Sequence, residues 1–314
     1  MTEKIHGKIL QGVGGLYTVL VTEGELCGNT LPCRARGSFR HNNLSPLAGD
    51  NVVISPARES NDKKQSEYVI EDICDRRSAL IRPPLANLDY LFITLAAASP
   101  KPILATVDKL ISIAEFNDIE PIIVITKCEL DPNYAEELRA IYEKSGFTVF
   151  ALSAVSDIGI TPIDDFIKAN LKNKLSAFAG ASGIGKSTLL NRLFPSLSLS
   201  TSEISRKVER GRHTTRKVEI FPVELNNGEI SYIADTPGFS MLDFERFDFF
   251  EKDDLVYTMR EFRPYINQCK YTKCSHTKED GCAIISALKD GIIVPSRHKS
   301  YCELYDVLKT KTKW

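Results

Sequence analysis

The sequence predicts a multidomain α/β protein with three successive domains, and three observations support this prediction. Residues 1–75 carry short β-like runs separated by glycine and polar turns, such as KILQGVGGLYTVLV and GDNVVIS, which is typical of a small all-β barrel. Residues 76–245 alternate apolar strands with amphipathic helices, which predicts a parallel sheet covered on both faces. Residues 246–314 are mainly helical and contain a compact Cys and His cluster.

The overall composition limits the classes of protein to which the chain can belong. The 314 residues include 40 basic and 41 acidic side chains, for a net charge of -1, so the chain as a whole lacks polycation character. No run approaches the roughly 18 apolar residues of a membrane span. The start, MTEKIHGKILQG, carries charges where a signal peptide needs an apolar stretch. We therefore expect a cytoplasmic protein with no membrane partner.

The central domain is expected to contain five strands with helices between them. The apolar runs that predict strands are 90–95, 122–126, 148–152, 175–179 and 230–234. The segments 106–115 and 133–144 carry apolar residues at helical spacing.

The most informative motif is G-x4-G-K-S, which follows the apolar run LSAFA and precedes the amphipathic run STLLNRLF. In this context it predicts a phosphate-binding loop, because the glycines let backbone N–H groups face phosphates and the following helix adds partial positive charge. Lys186 is expected to neutralise the β- and γ-phosphates, and Ser187 to complete a Mg²⁺ shell. The expected nucleotide-binding residues here are Gly180, Ala181, Ser182, Gly183, Ile184, Gly185, Lys186, Ser187 and Thr188.

A second phosphate element is the segment IADTPG at 233–238. Asp235 follows an apolar strand, where a carboxylate suits Mg²⁺, and the Gly238 N–H suits a γ-phosphate contact. The alternative is that Asp235 caps the next segment at a strand-to-turn transition.

The base-recognition element is the segment TKCE, which follows the apolar run IIVI. We expect Thr126, Lys127, Cys128 and Glu129 to bind the base, with a Ser153-Ala154 element after the next strand. GTPases have Asn-Lys-x-Asp at this place. Glu129 can still accept the two guanine N–H donors, but its carboxylate lies one methylene further out. Thr126 does not reproduce every hydrogen bond of Asn, and an ordinary polar strand end is the alternative.

The order of these motifs predicts a circularly permuted domain, because base recognition at 126–129 and 153–154 precedes the phosphate loop. Between that loop and Asp235 lies the basic segment GRHTTR at 211–216. It stands where a Mg²⁺-sensing switch is expected, with Thr214 or Thr215 as a metal ligand. Phe239 occupies the place where many GTPases have the glutamine that orients water. We hypothesise that His213 performs this role.

The cluster Cys269-x4-Cys274-x-His276-x5-Cys282 offers three thiolates and one imidazole, a full tetrahedral set for one structural Zn²⁺. Free cysteines in a helical core are the alternative. In the barrel, the segment CRARGSFR combines three arginines with an aromatic side chain. That combination suits RNA, although residues 1–75 contain eight basic and ten acidic side chains, so the domain as a whole does not attract RNA.

Taken together, these motifs resemble the small ribosomal subunit biogenesis GTPase family RsgA. The resemblance is carried, in family order, by CRARGSFR, LAGD, RPPLANLDYLF, TKCEL, GASGIGKSTLLN, GRHTTR, DTPGF and the Cys and His cluster. It implies an OB-fold barrel, a circularly permuted P-loop GTPase domain and a zinc domain. It also implies GTP hydrolysis to GDP, stimulated by the 30S ribosomal subunit during late maturation, with 16S rRNA as a contact and a monomeric protein.

Two other functions remain compatible with the residues. One is a nucleotide-gated RNA-binding scaffold with little hydrolysis, which the Phe239 substitution motivates. The other is a P-loop phosphotransferase, which the DTPG and TKCE elements disfavour.

Overall fold

The computed structural model describes residues 4–37, 39, 44–57, 68–81, 83–197, 218–225, 227–235 and 251–310. The chain divides into two compact units. The first comprises Met1–Asp89, Leu171–Ala177 and Ser202–Gly238, and the second comprises Tyr90–Asn170, Phe178–Thr201 and Phe239–Trp314. Among the described residues, no helix combines the length and apolar character needed to cross a membrane.

The first unit contains a five-stranded barrel. Its strands are β1 (Ile5–Val13), β2 (Leu16–Val21), β3 (Thr30–Ala35), β4 (Asn51–Pro56) and β5 (Tyr68–Ile73). They follow the order β1-β2-β3-β5-β4, and β4 pairs with β1 to close the barrel. All pairs are antiparallel except β3 with β5. This is the five-stranded arrangement of an OB-fold, as the sequence predicts.

Alternation of apolar and polar residues along these strands builds the barrel core. The side chains that fill it are Ile9, Val19, Val21, Cys33, Phe39, Val52, Ile54 and Ile70, all nearly inaccessible to solvent. Position 7 requires glycine because the Leu20 backbone lies close to it, and a Cβ atom at this position would lie 2.8 Å from the Leu20 carbonyl oxygen.

Further strands of the first unit follow the barrel. A short pair, β6 (Ala79–Leu80) and β7 (Leu85–Ala86), comes before the second unit begins. The antiparallel pair β12 (Glu219–Glu224) and β13 (Ile230–Asp235) lies beside the barrel, where Glu219 of β12 faces Gln11 of β1. The first three residues of β11 (Leu175–Ala179) pair in parallel with β13.

The second unit contains a parallel sheet with helices between its strands. Strands β8 (Tyr90–Ala96), β9 (Glu120–Thr126) and β10 (Thr148–Ala151) pair in parallel, with β9 in the middle. Nearly every residue of β8 and β9 is buried, which explains their continuous apolar sequence. The helices that alternate with these strands are α1 (Leu104–Phe116), α2 (Pro132–Lys144), α3 (Ile160–Asn170) and α4 (Lys186–Leu193).

Residues 251–310 belong to the same compact unit as α1. They form two short 3₁₀ turns, Leu255–Thr258 and Arg260–Tyr265, followed by α5 (Ala283–Lys289) and α6 (Pro295–Thr310). Helix α6 packs against α1. A fully buried Arg297 on α6 pairs with Asp108 of α1 at 2.6 Å and with Glu261 at 2.7 Å.

Candidate nucleotide-binding site and metal centre

The predicted phosphate loop connects β11 to α4, and glycine gives it its shape. Gly180, Gly183 and Gly185 have φ values of 150°, 79° and 93°, a region that side chains with a Cβ atom rarely adopt. At Gly180 space is also restricted, since a Cβ atom would lie 2.5 Å from the Thr94 carbonyl oxygen. The loop then leads into the first turn of α4, where Lys186 and Ser187 are half-buried. Its backbone N–H groups and this helix end suit a phosphate.

Two residues of the base-recognition motif hold the phosphate loop in place. Thr126 Oγ1 donates a hydrogen bond to the Ile184 carbonyl oxygen at 2.6 Å. Lys127 Nζ donates to the carbonyl oxygens of Gly183 and Ser99, each at 2.7 Å. The carboxyl ends of parallel strands share one edge of a sheet, so β9 delivers these side chains beside the loop. Thr126 and Lys127 therefore lie beside the phosphate loop.

Glu129, two residues after Lys127, has a carboxylate oxygen that accepts no hydrogen bond within the described residues. Among the described residues, its Oε2 atom is buried and has no hydrogen-bond partner. A buried carboxylate oxygen without a donor is costly, and it fits a ligand that presents N–H groups. The neighbouring Cys128 is buried, and this burial raises the pKa of its thiol, as does the negative charge of Glu129. Cys128 is therefore a neutral thiol at neutral pH.

The second loop of the expected base pocket follows β10. Ser153 is buried, its N–H donates to the Ile158 carbonyl oxygen at 2.9 Å, and its Oγ accepts from the Ser156 N–H at 3.1 Å. Cys128 N–H donates to the Leu152 carbonyl oxygen at 3.3 Å. This bond links the loop after β9 to the end of β10. Thr126–Glu129 and Ser153–Ala154 therefore lie on adjacent loops.

Several predicted site residues lie outside the described part of the chain. These are His213, Thr214, Thr215, Gly238 and Phe239. Asp235 is the last residue of β13, and its side chain is not described.

The four predicted metal ligands converge in the C-terminal part of the second unit. Ligand atoms of Cys269, Cys274, His276 and Cys282 all lie within 4.8 Å of one another. Cys269 Sγ is 3.4 Å from His276 Nδ1 and 3.7 Å from Cys282 Sγ. Tetrahedral zinc with its usual bond lengths requires ligand atoms about 3.5–3.8 Å apart. The Cys₃His cluster is therefore compatible with zinc in both chemistry and spacing.

The polypeptide around the cluster orients these ligands. The His298 Nε2 atom donates to the His276 carbonyl oxygen at 2.8 Å, and the Tyr301 hydroxyl donates to the Ser275 carbonyl oxygen at 2.9 Å. Glu279 accepts the Ser275, Thr277 and Lys278 N–H groups at 2.9–3.2 Å. Burial opposes ionisation of Glu279, but these bonds and that of the Ser275 hydroxyl lower its pKa to about 2. Hydrogen bonds within the loop and from α6 thus orient the ligands.

Comparison with known proteins identifies the family. The RsgA GTPase model matches residues 73–245, and the RsgA N-terminal domain model matches residues 6–63. The chain belongs to the RsgA GTPase family. It is therefore a GTP hydrolase, as the motifs predict.

Relatives extend this similarity over almost the full chain. A protein of Caldanaerobacter subterraneus subsp. tengcongensis named "Small ribosomal subunit biogenesis GTPase RsgA" is 38% identical over 312 residues, 99% of this chain and 98% of the relative. A protein of the same name from Ruminiclostridium cellulolyticum is 40% identical over 303 residues, 96% of this chain and 93% of the relative.

Two solved structures share the fold. The crystal structure of YjeQ from Thermotoga maritima has a TM-score of 0.79 and 29% identity, with 99% of this chain and 100% of that chain covered. YloQ, described as a circularly permuted GTPase, has a TM-score of 0.74 and 34% identity, with 99% of this chain and 98% of that chain covered. With the motif order found here, these similarities confirm the predicted fold class, including the circular permutation of the GTPase domain.

The sequence reasoning missed one residue that shapes the phosphate loop. Thr94 on β8 is 3% exposed, and its Oγ1 atom donates to the Ala179 carbonyl oxygen at 2.5 Å, one residue before Gly180. The available signal was a threonine in the middle of the apolar strand YLFITLA, because a buried polar side chain needs a partner.

Proposed function

We propose that this chain binds the 30S ribosomal subunit and hydrolyses GTP to GDP and phosphate during late small-subunit maturation. The 30S subunit stimulates hydrolysis, the contacts include 16S rRNA, and the protein acts in the cytoplasm as a monomer. The support for the ribosomal role is the name shared by relatives that are similar over almost the whole chain.

One observation carries the assignment of the nucleotide site. The strand end that supplies the unsatisfied Glu129 oxygen also supplies Thr126, which fixes the Ile184 carbonyl oxygen of the phosphate loop. A guanine base and a phosphate chain are recognised by such a pair of neighbouring elements. The base presents two N–H donors to the carboxylate, while the loop presents backbone N–H groups to the phosphates.

The phosphate chain is assigned to residues 180–188. Gly180, Gly183 and Gly185 permit the loop conformation, and Lys186 neutralises the β- and γ-phosphates. The N–H group of Gly238 would contact the γ-phosphate. Ser187 and Asp235 would hold Mg²⁺, which would supply positive charge for the phosphate oxygens.

Hydrolysis needs a group that orients water, and Phe239 has no atom for this task. We assign the task to His213, and we assign the sensing of the nucleotide state to Thr214 or Thr215. The 30S subunit stimulates hydrolysis by aligning His213 with the attacking water.

Zinc has a structural role in this proposal. Cys269, Cys274, His276 and Cys282 hold it, and four protein ligands leave no open position for a catalytic water. The metal fixes the fold of a segment whose apolar core is small.

The test measures phosphate release from GTP and from ATP, with and without purified 30S subunits. We expect slow release from GTP alone, an increase of about tenfold or more with 30S subunits, and little release from ATP. The Lys186→Ala variant should lose the stimulated activity, whereas Lys252→Ala, at an exposed lysine, should retain it.

Each remaining outcome counts against the proposal. Equal rates with and without 30S subunits would contradict stimulation. No release in either condition would favour a nucleotide-gated scaffold, and a phosphorylated small molecule would favour a phosphotransferase. Full turnover by His213→Ala would reject the role of that histidine.

A further inference from the structure

The hydroxyl group of Thr126 is fully engaged within the protein. The side chain is 3% exposed, and its Oγ1 atom lies 2.6 Å from the Ile184 carbonyl oxygen and 3.2 Å from the Leu95 carbonyl oxygen. A threonine hydroxyl has one proton to donate, and both neighbours are acceptors. The proton is therefore shared between two backbone carbonyls, and none remains for a third acceptor.

Guanine presents two kinds of groups that a protein can recognise. Its N7 and O6 atoms are acceptors and need donors, whereas its N1–H and exocyclic amino groups are donors and need acceptors. An asparagine at position 126 has two amide protons, so it can hold the loop and still donate to the base. Thr126 does not have this second donor.

Each of the other predicted base-binding groups suits either the donor groups or the acceptor groups of guanine. The buried Oε2 atom of Glu129 is an acceptor without a partner among the described residues, so it suits N1–H and the exocyclic amino group. The Ser153 N–H is already bonded to the Ile158 carbonyl oxygen. The N–H of Ala154, next along this loop, takes no part in that bond and suits O6.

We propose that Thr126 is a positioning residue for the phosphate loop, and that this site does not recognise N7 of guanine. Specificity for guanine then comes from Glu129, with the Ala154 N–H on O6. This inference rests on the proposed GTP site and extends it to the substrate class. The enzyme therefore binds guanine nucleotides that are altered at position 7. It binds poorly those analogues of guanine nucleotides that lack the exocyclic amino group next to N1–H.

The test measures dissociation constants of the full-length protein for GDP, 7-deaza-GDP and IDP by calorimetry. We expect 7-deaza-GDP to bind within about twofold of GDP, because no protein donor loses its partner. IDP should bind about tenfold or more weakly, because it cannot supply the amino group to a buried carboxylate.

The outcomes of this comparison separate the two proposals. A loss of about tenfold or more for 7-deaza-GDP would overturn the inference, since some donor must then contact N7. Equal binding of IDP and GDP would overturn the role given to Glu129. Failure to bind GDP at all would instead overturn the proposed nucleotide site.

Variants at position 126 distinguish loop positioning from base recognition. Thr126→Val removes the hydroxyl and should weaken GDP and 7-deaza-GDP by the same factor, about threefold to tenfold, with their ratio unchanged. Thr126→Ser keeps the hydroxyl and should restore binding. Thr126→Asn should create a preference for GDP over 7-deaza-GDP.

A changed ratio in Thr126→Val would show that the hydroxyl contacts the base and would overturn the proposal. Melting curves check that each variant is folded. If Thr126→Val does not fold, the comparison of GDP with 7-deaza-GDP on the unmodified protein still decides the question.

Discussion

Arg297→Met is expected to lower the stability of the protein strongly without changing the nucleotide site. The Arg297 side chain is 0% exposed, and its partners Asp108 and Glu261 are 1% and 7% exposed. Methionine fills much of the same volume but supplies neither charge nor donor. Two buried carboxylates then lack a cation, and removal of one partner from a buried ion pair costs about 3–5 kcal/mol. We expect the free energy of unfolding to fall by this amount at pH 8.

The pH dependence of this loss follows from the carboxylates. Burial raises the pKa of Asp108 above its ordinary value, while the positive charge of Arg297 opposes that increase. Without Arg297 the pKa rises further, so the folded state binds more protons than the unfolded state. Between the unfolded and folded pKa values, the free energy of unfolding therefore falls as pH rises, by up to about 1.4 kcal/mol per pH unit for one carboxylate. The deficit of the variant should shrink towards acid pH.

The assay is urea unfolding followed by circular dichroism at pH 6 and pH 8, with zinc in excess. Lys299→Met, on the same helix but with a side chain that is 79% exposed, is the matched control and should change stability by less than about 0.5 kcal/mol. Because Lys299→Met keeps the same metal ligands, its unfolding at the two pH values also shows any effect of pH on the metal site. A deficit for Arg297→Met below about 1 kcal/mol at pH 8 would refute the reasoning, as would an equal deficit at both pH values.

Three further predictions concern the phosphate loop and the metal centre. Gly180→Ala places a Cβ atom 2.5 Å from the Thr94 carbonyl oxygen, at a residue whose φ is 150°. The affinity for GDP, measured by calorimetry, should therefore fall about tenfold or more. An unchanged affinity would contradict the close approach. Lys186→Ala should lower GTP turnover about 100-fold or more with an unchanged melting curve, and phosphate release at the original rate would contradict its assignment. Cys282→Ser, or a strong chelator, should lower the melting temperature and expose residues 251–310 to protease; an unaltered melting profile after the metal is removed would contradict a structural role for zinc.

Periodicity predicts the first part of the second unit, from β8 to β10. The runs expected as β8, β9, β10, α1 and α2 begin and end within two residues of the observed elements. The strands β8 and β9 are almost wholly buried and the helices bury one apolar face, whereas β10 has four residues and is only partly buried. Strand β12 was not predicted. Its sequence EIFPVE is short and contains Pro222, which resembles a breaker, and its pairing with β13 and β1 depends on long-range partners.

Prediction of the nucleotide site from the sequence has a different limit. Motif spacing predicts which residues gather around a nucleotide, but it does not report the direction of a side chain. The motif predicts that Thr126 binds the base, because it stands where GTPases have asparagine, and it does not predict the hydrogen bond from its hydroxyl to a carbonyl oxygen 58 positions later. The Thr94 hydroxyl donates a hydrogen bond to the carbonyl oxygen of Ala179, which lies 85 positions later in the sequence. Such contacts arise from strand order in the sheet, so a single sequence can mark Thr94 as a polar residue that needs a partner but does not identify that partner.

The arginines of residues 251–310 differ in what they contribute to the attachment of this segment. Arg260 donates to Glu115 at 2.5 Å and to Glu120 at 2.6 Å, and Arg263 donates to Glu115 at 2.6 Å. Their side chains are 23% and 51% exposed, so solvent screens these pairs. Arg297 is fully buried, and its removal leaves carboxylates that water cannot reach.

Position along the sheet gives the partly buried Arg260 pairs a second role. Glu115 lies near the end of α1, and Glu120 begins β9, the strand that ends at Thr126. Arg260 therefore joins the turn that precedes the base-recognition strand. Its loss should cost less stability than the loss of Arg297, but it acts on the strand that ends at Thr126, three residues before Glu129. Buried charge thus holds the C-terminal segment on α1, while Arg260 links that segment to the strand that supplies the nucleotide site.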